Sequence, residues 1–128
     1  MRTNRRGFTL IEVLVALIIL SVVALGMGRF IGSFLHVVGT TNARTVATAV
    51  TVEQTELIRA DNRYTSLVAN YNNVSTTGFP DFPAMTRTTR VTRTTGTSPR
   101  RDYTTITVRV TEPTMGAPVN VTIVVAAP

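Results

Sequence analysis

From Phe8 to Gly28 the chain is apolar at almost every position, broken by one acid, Glu12, and only beyond Gly28 do polar residues return in number. At 1.5 Å of helical rise per residue these roughly 21 residues reach ~31 Å, which matches the hydrocarbon thickness of a bilayer. The pattern predicts one membrane-spanning helix. Past it, Ala43, Val46, Ala47, Val50, Gln54, Leu57 and Ile58 recur at i, i+3, i+4 and i+7, while Arg44, Thr48, Glu53, Glu56 and Arg59 occupy the other faces. This is an amphipathic helix, with Glu56 and Arg59 spaced to pair on its exposed side. Unbroken from Phe8 to about Asp61, the two stretches make a helix ~80 Å long whose second half alone can pack on a domain.

The period then changes. Asn72-Asn73, Gly78, Pro80, Asp81 and Pro83 predict a loop, after a short helical turn around Ser66 to Tyr71. Three strand-like runs follow, separated by Thr95 to Pro99 and by Glu112 to Pro118. Ile106, Val108 and Val110 alternate with threonine and Arg109, and Val119, Val121, Ile123 and Val125 alternate with Asn120 and Thr122, which gives each run one buried face. The first run, Met85 to Thr94, has only Met85 and Val91 as apolar anchors and reads as an edge strand defended by Arg87, Arg90 and Arg93. The expected fold is α+β, a long N-terminal helix packed on a small antiparallel sheet of about three strands.

Charge orients the predicted span. Arg2, Arg5 and Arg6 precede it without an acid, whereas Arg29 alone flanks its far end, so the leader is expected in the cytoplasm and the domain outside. Glu12 is the costly residue, because a carboxylate at a membrane-helix centre costs roughly 2.5 to 3.5 kcal/mol and less near an end. Thr9-x-x-Glu12 also has the spacing of a capping box, with the acid at the positive end of the helix dipole. A secretory signal cut near Ala24-Leu25-Gly26 and an uncleaved anchor are competing readings; Glu12 interrupts the first, and the second leaves Gly7-Phe8-Thr9 without a role.

The run Arg5-Arg6-Gly7-Phe8-Thr9-Leu10-Ile11-Glu12-Val13-Leu14-Val15-Ala16-Leu17 resembles the class III signal of type IV pilins and type II secretion pseudopilins. The resemblance implies a pilin-like fold and cleavage by a prepilin peptidase between Gly7 and Phe8, with Phe8 becoming an N-methylated first residue. It further implies that Glu12 pairs with the new ammonium group of Phe8, on the same or a neighbouring subunit, during assembly. The chain would divide into a leader (1–7), a membrane and assembly half of the helix (8–28), an amphipathic half (29–61) and a small β region (62–128). The short length, Leu25-Gly26 and the Thr-Val-rich final hairpin look most like V-type minor pilins and I-type pseudopilins.

The implied function is that of a minor pilin or pseudopilin subunit assembled through its N-terminal helix into a type IV pilus or a type II secretion pseudopilus. Implied partners are other such subunits, the prepilin peptidase, an inner-membrane assembly platform and, before assembly, membrane lipid. The implied location is the bacterial inner membrane, crossed once, and then a periplasmic or surface filament.

Composition bounds what else the chain does. About 100 residues outside leader and span suffice for one small domain. The sequence has no cysteine, so disulfides and cysteine-ligated zinc are excluded, in contrast to the disulfide-bounded region of many major pilins. The single histidine, His36, sits among apolar residues and reads as a packed helix residue rather than a ligand. Seven scattered acids offer no catalytic pair, and Asp81, Asp102 and Glu112 are too dispersed for a calcium loop. No enzyme activity, metal or cofactor is expected. Asn73-Val-Ser75 and Asn120-Val-Thr122 match the glycosylation sequon, a pattern that arises by chance in a Thr-rich chain.

Formal charge is +6, and without Arg2, Arg5 and Arg6 ten arginines face seven acids, a mild excess of +3. An alternative function is a filament-borne subunit holding DNA or another polyanion through Arg87, Arg90, Arg93, Arg100 and Arg101. Arginine on an edge strand is more often an anti-aggregation device, and with no aromatic cluster beside it nucleic acid is not the expected partner. Gly26, Gly28, Gly32 and Gly39 soften the join between the helix halves. Two readings of them stand: close helix packing in the membrane, or loosening on entry into a filament, as the resemblance implies.

Overall fold

The computed structural model describes residues 8–128. The leader, including Gly7 and its three arginines, lies outside the described residues. The elements run α1 (Leu10–Ala60), a 3₁₀ turn (Tyr64–Ser66), α2 (Leu67–Tyr71), β1 (Val74–Thr76), β2 (Thr86–Thr97), β3 (Arg100–Thr111), a second 3₁₀ turn (Pro113–Met115) and β4 (Val119–Ala126). The described residues divide into two compact units, one ending at Val38 and the other Gly39–Pro128, with α1 contributing to both.

In the second unit α1 lies across a four-stranded antiparallel sheet in the order β1-β2-β3-β4. The chain is therefore α+β, a long N-terminal helix on an antiparallel sheet, with one strand more than the three expected. The extra strand is β1, in a segment that Asn, Gly and Pro made read as loop; its Val74, Ser75 and Thr76 pair with Thr89, Thr88 and Arg87. Asn73 supplies the turn into it at φ 59°, a left-handed conformation that asparagine tolerates better than most side chains.

The helical stripe that meets the sheet is Ala43, Ala47, Val50, Thr51, Gln54, Thr55 and Ile58. One member of the expected stripe leaves it and two threonines join. Leu57 is exposed, and Thr51 and Thr55 are buried in its place. Threonine is admitted because its hydroxyl bonds within the helix, Thr51 to the Ala47 carbonyl at 2.6 Å and Thr55 to the Thr51 carbonyl at 2.8 Å, leaving only the methyl to face the core. The expected Glu56–Arg59 pair forms on the exposed side at 3.3 Å.

The core has two parts. Ala43, Ala47 and Val50 pack with Met85, Val110 and Met115, and Ile58 packs with Tyr64, Leu67, Val91, Ile106 and Val108. The small Ala43 and Ala47 bring the helix close to the sheet, and Met115 closes this end from the β3–β4 connection. That connection is pinned at both ends: the Glu112 carboxylate accepts from the Thr114 amide at 2.7 Å and from its hydroxyl, while Arg44 donates to the Met115 carbonyl at 3.3 Å.

β2 and β3 pair along their whole length, Thr86 with Thr111 through Thr97 with Arg100. The expected separator Thr95 to Pro99 shrinks to the turn at Ser98-Pro99, since Thr95, Gly96 and Thr97 extend the ladder. β2 is also not a simple edge strand. β1 covers Arg87 to Thr89, and the amide of Val91 is satisfied by the Asn72 side chain at 3.1 Å, so only its distal half is open. On β4 the row Val119, Val121, Ile123 and Val125 points to the core side but is only half-buried.

Two carboxylates tie loops to this frame. Asp61, just past α1, accepts from the Arg63 amide (3.0 Å), from the Arg63 guanidinium through both oxygens (2.9 Å each) and from the Tyr71 hydroxyl (3.0 Å). Its side chain is 7% exposed, and the Arg63 bonds hold its pKa far below the ordinary carboxylate value. Burial, with help from the Asp61 contact, raises the Tyr71 phenol. Asp102 on β3 takes a bidentate pair from Arg93 (2.9 and 2.7 Å) and a bond from Tyr64 (2.9 Å), which lower its pKa to about 2. Both shifts are downward, so this stabilisation is complete above the unfolded carboxylate pKa of about 3.9 and is lost as pH falls through the folded values. Thermal melts of the fragment 39–128 should accordingly be level above about pH 5 and fall from about pH 4 towards pH 2. Asp61→Asn with Asp102→Asn should lower the plateau and flatten that fall; an unchanged acid slope would show that other carboxylates set it.

Candidate functional site

The N-terminal half of α1 is built for an environment other than water. Every described residue from 8 to 38 is exposed, among them Leu14, Ile18, Leu25, Phe30 and Phe34. It meets the length and hydropathy criteria for crossing a membrane. An apolar surface on this scale is stable only when lipid or other protein covers it. The helix continues through Gly26, Gly28, Gly32 and Gly39, and a Cβ added at any of them would meet nothing within 4 Å, so no close approach among the described residues requires them. His36 is exposed rather than packed.

At the start of this half the two residues singled out for assembly come together. Phe8 and Glu12 stand one turn apart and line a shallow groove with Val13, Ala16, Leu17 and Leu20. Thr9 caps the helix: its hydroxyl accepts from the Glu12 amide at 3.3 Å, and its carbonyl accepts from the Glu12 and Val13 amides at 3.1 and 3.2 Å. One half of the capping box is thus present, and Glu12 is exposed beside Phe8. Gly7, the other side of the expected scissile bond, lies outside the described residues.

The five arginines of the alternative reading do not form one surface. Strand alternation puts Arg87 and Arg93 on the α1 side of β2, where Arg87 lies 5.9 Å from the Phe79 ring centroid and Arg93 is consumed by Asp102 and stacks over Tyr64 at 5.0 Å. Arg90 points to the opposite side. Arg100 and Arg101 are neighbours at the start of β3 and diverge to the two faces. Sequence spacing in threes concealed this, because a strand sorts side chains by twos. Arg109, absent from that set, shares the face of Arg90.

Residues 2–28 match the family model described as the prokaryotic N-terminal methylation motif, which is typical of type IV pilin-like proteins. No curated protein and no solved structure matches the chain.

Proposed function

We propose that the chain is the precursor of a type IV pilin-like structural subunit, cut by a prepilin peptidase between Gly7 and Phe8, N-methylated at Phe8, and assembled through the first half of α1. The observation that carries this reading is a coincidence of position. The methylation motif, matched over residues 2–28, takes in the start of α1, where every described residue is exposed and the run is apolar enough for a bilayer. Lipid covers that surface before assembly and neighbouring helices cover it afterwards. The chain crosses the inner membrane once, leader in the cytoplasm, and the helix-on-sheet unit decorates a periplasmic or surface filament.

In finer terms the subunit is a minor pilin or a pseudopilin of the V or I type, with an assembly platform and other subunits as partners. The wholly uncysteined, small domain supports a minor role, and its bonded carboxylates serve the fold rather than chemistry. Mass spectrometry of the membrane-extracted protein tests the reading. Methylated Phe8 at the N-terminus is the expected result, whereas a start at Met27 would establish signal-peptidase cleavage and overturn it.

A further inference from the structure

Within the second unit, the sheet face turned away from the packed part of α1 carries a polar groove. Its floor is laid by three adjacent strands. Thr88, Arg109 and Asn120 form one cross-strand row and Arg90, Thr107 and Thr122 the next. Arg90 and Arg109 are therefore diagonal neighbours on β2 and β3, with Cα atoms about 7 to 8 Å apart, close enough for both guanidinium groups to reach one extended ligand. Both are exposed, and neither has an acidic partner among the described residues.

The surroundings sharpen the chemistry. None of the chain's seven acids falls on this face: Glu12, Glu53 and Glu56 are on α1, Asp61 and Asp81 are in loops, Asp102 faces Tyr64, and Glu112 is held by Thr114. Uncompensated positive charge here selects an anion, and a guanidinium fork favours carboxylate, sulfate or phosphate. Between the charges lie groups that both donate and accept: the Thr107 and Thr122 hydroxyls, already bonded to each other at 3.1 Å, and the Asn120 amide. No aromatic ring lines the groove, so an unpaired base has nothing to stack on. Two charges also neutralise too few phosphates for a duplex. A chain of hydroxylated sugars bearing regularly placed carboxylates satisfies both kinds of group.

We propose that this groove, centred on Arg90 and Arg109, binds a carboxylate-bearing acidic polysaccharide. The proposal goes beyond the subunit's structural role and stands on a different surface. Its test uses the full chain in neutral detergent, with immobilised polygalacturonate as probe. The polymer should be retained at low salt and released as salt rises, and its fully methyl-esterified form, which keeps the hydroxyls and loses the charge, should bind at least about tenfold more weakly. Arg90→Gln with Arg109→Gln should weaken binding by at least about tenfold as well, while the charge-matched pair Arg29→Gln with Arg59→Gln should change it less than about twofold. Asn120→Ala should weaken binding without altering its salt slope. Absence of retention, equal loss in the two arginine pairs, or tighter retention on duplex DNA with the same sensitivity to Arg90 and Arg109 would each overturn the assignment.

Discussion

Replacing Val108 by aspartate is expected to leave the fragment 39–128 without a cooperative thermal transition, whereas Thr107→Asp, one residue away, should melt within a few degrees of the parent. Val108 is fully buried in β3, in the cluster with Ile58, Tyr64, Leu67, Val91 and Ile106. A carboxylate there would be stripped of water with no cation to receive it. Of the two β2 arginines on that side of the sheet, Arg93 is already committed to Asp102, and Arg87 is held over the Phe79 ring with its guanidinium donating to the Thr76 hydroxyl. An unpaired buried charge costs several kcal/mol, and a small domain has only about 5 to 15 kcal/mol in total. Thr107 faces the opposite side, where its neighbours are the Thr122 hydroxyl and two exposed arginines. Ile123→Asp should fall between the two, because the inward row of β4 is only half-buried and its charge could turn to solvent. Circular dichroism melts of the three variants give the ranking; equal loss at positions 107 and 108 would show that the strand faces are not as described.

That ranking rests on a feature that was legible from sequence. Alternation along 106 to 110 placed Ile106, Val108 and Val110 on one face because nothing in β3 competes with the period of two. The helix was equally readable, to within two residues at either end, since its apolar run and its stripe both exceed any strand length. What escaped was fixed by tertiary partners. β1 exists because β2 offers it an edge, not because Val74-Ser75-Thr76 has a pattern. Thr51 and Thr55 enter the core because they satisfy their hydroxyls locally, whereas apolar Leu57 stays out because its angular position lies off the stripe.

Buried polar logic was also hidden. Thr104 is fully buried and its hydroxyl finds no partner among the described residues, while Asp102, two residues earlier on the same face, is the anchor for Arg93 and Tyr64. From sequence alone Asp102 was one of three dispersed acids. Its partners lie nine and thirty-eight residues away, and only the β2–β3 register and the path after α1 bring them together.

On the assembly half the largest expected effect belongs to Glu12. Cleavage after Gly7 would create an ammonium group at Phe8, one helical turn from the carboxylate and on the groove they share. In hydrocarbon neither charge is well solvated, so bringing them together, within one helix or between adjacent ones, relieves a cost that each carries alone. If the surrounding leucine, valine and isoleucine side chains pack without strong preference for axial position, this proposed pair would be the element that fixes register between helices. The Thr9 cap does not depend on the carboxylate, because the Thr9 hydroxyl binds the backbone amide of residue 12. Glu12→Val should therefore preserve the helix, membrane insertion and cleavage, and reduce recovery in filaments by about tenfold or more, as expected for loss of a poorly solvated charge pair. Glu12→Gln, which keeps a polar group but not the charge, should be nearly as defective. Expression of each variant beside the native machinery, with membrane level compared against recovery in sheared filaments, provides the measurement. Normal recovery of both variants at equal membrane level would reduce Glu12 to a favourable charge at a helix N-terminus and leave assembly to the apolar surface alone.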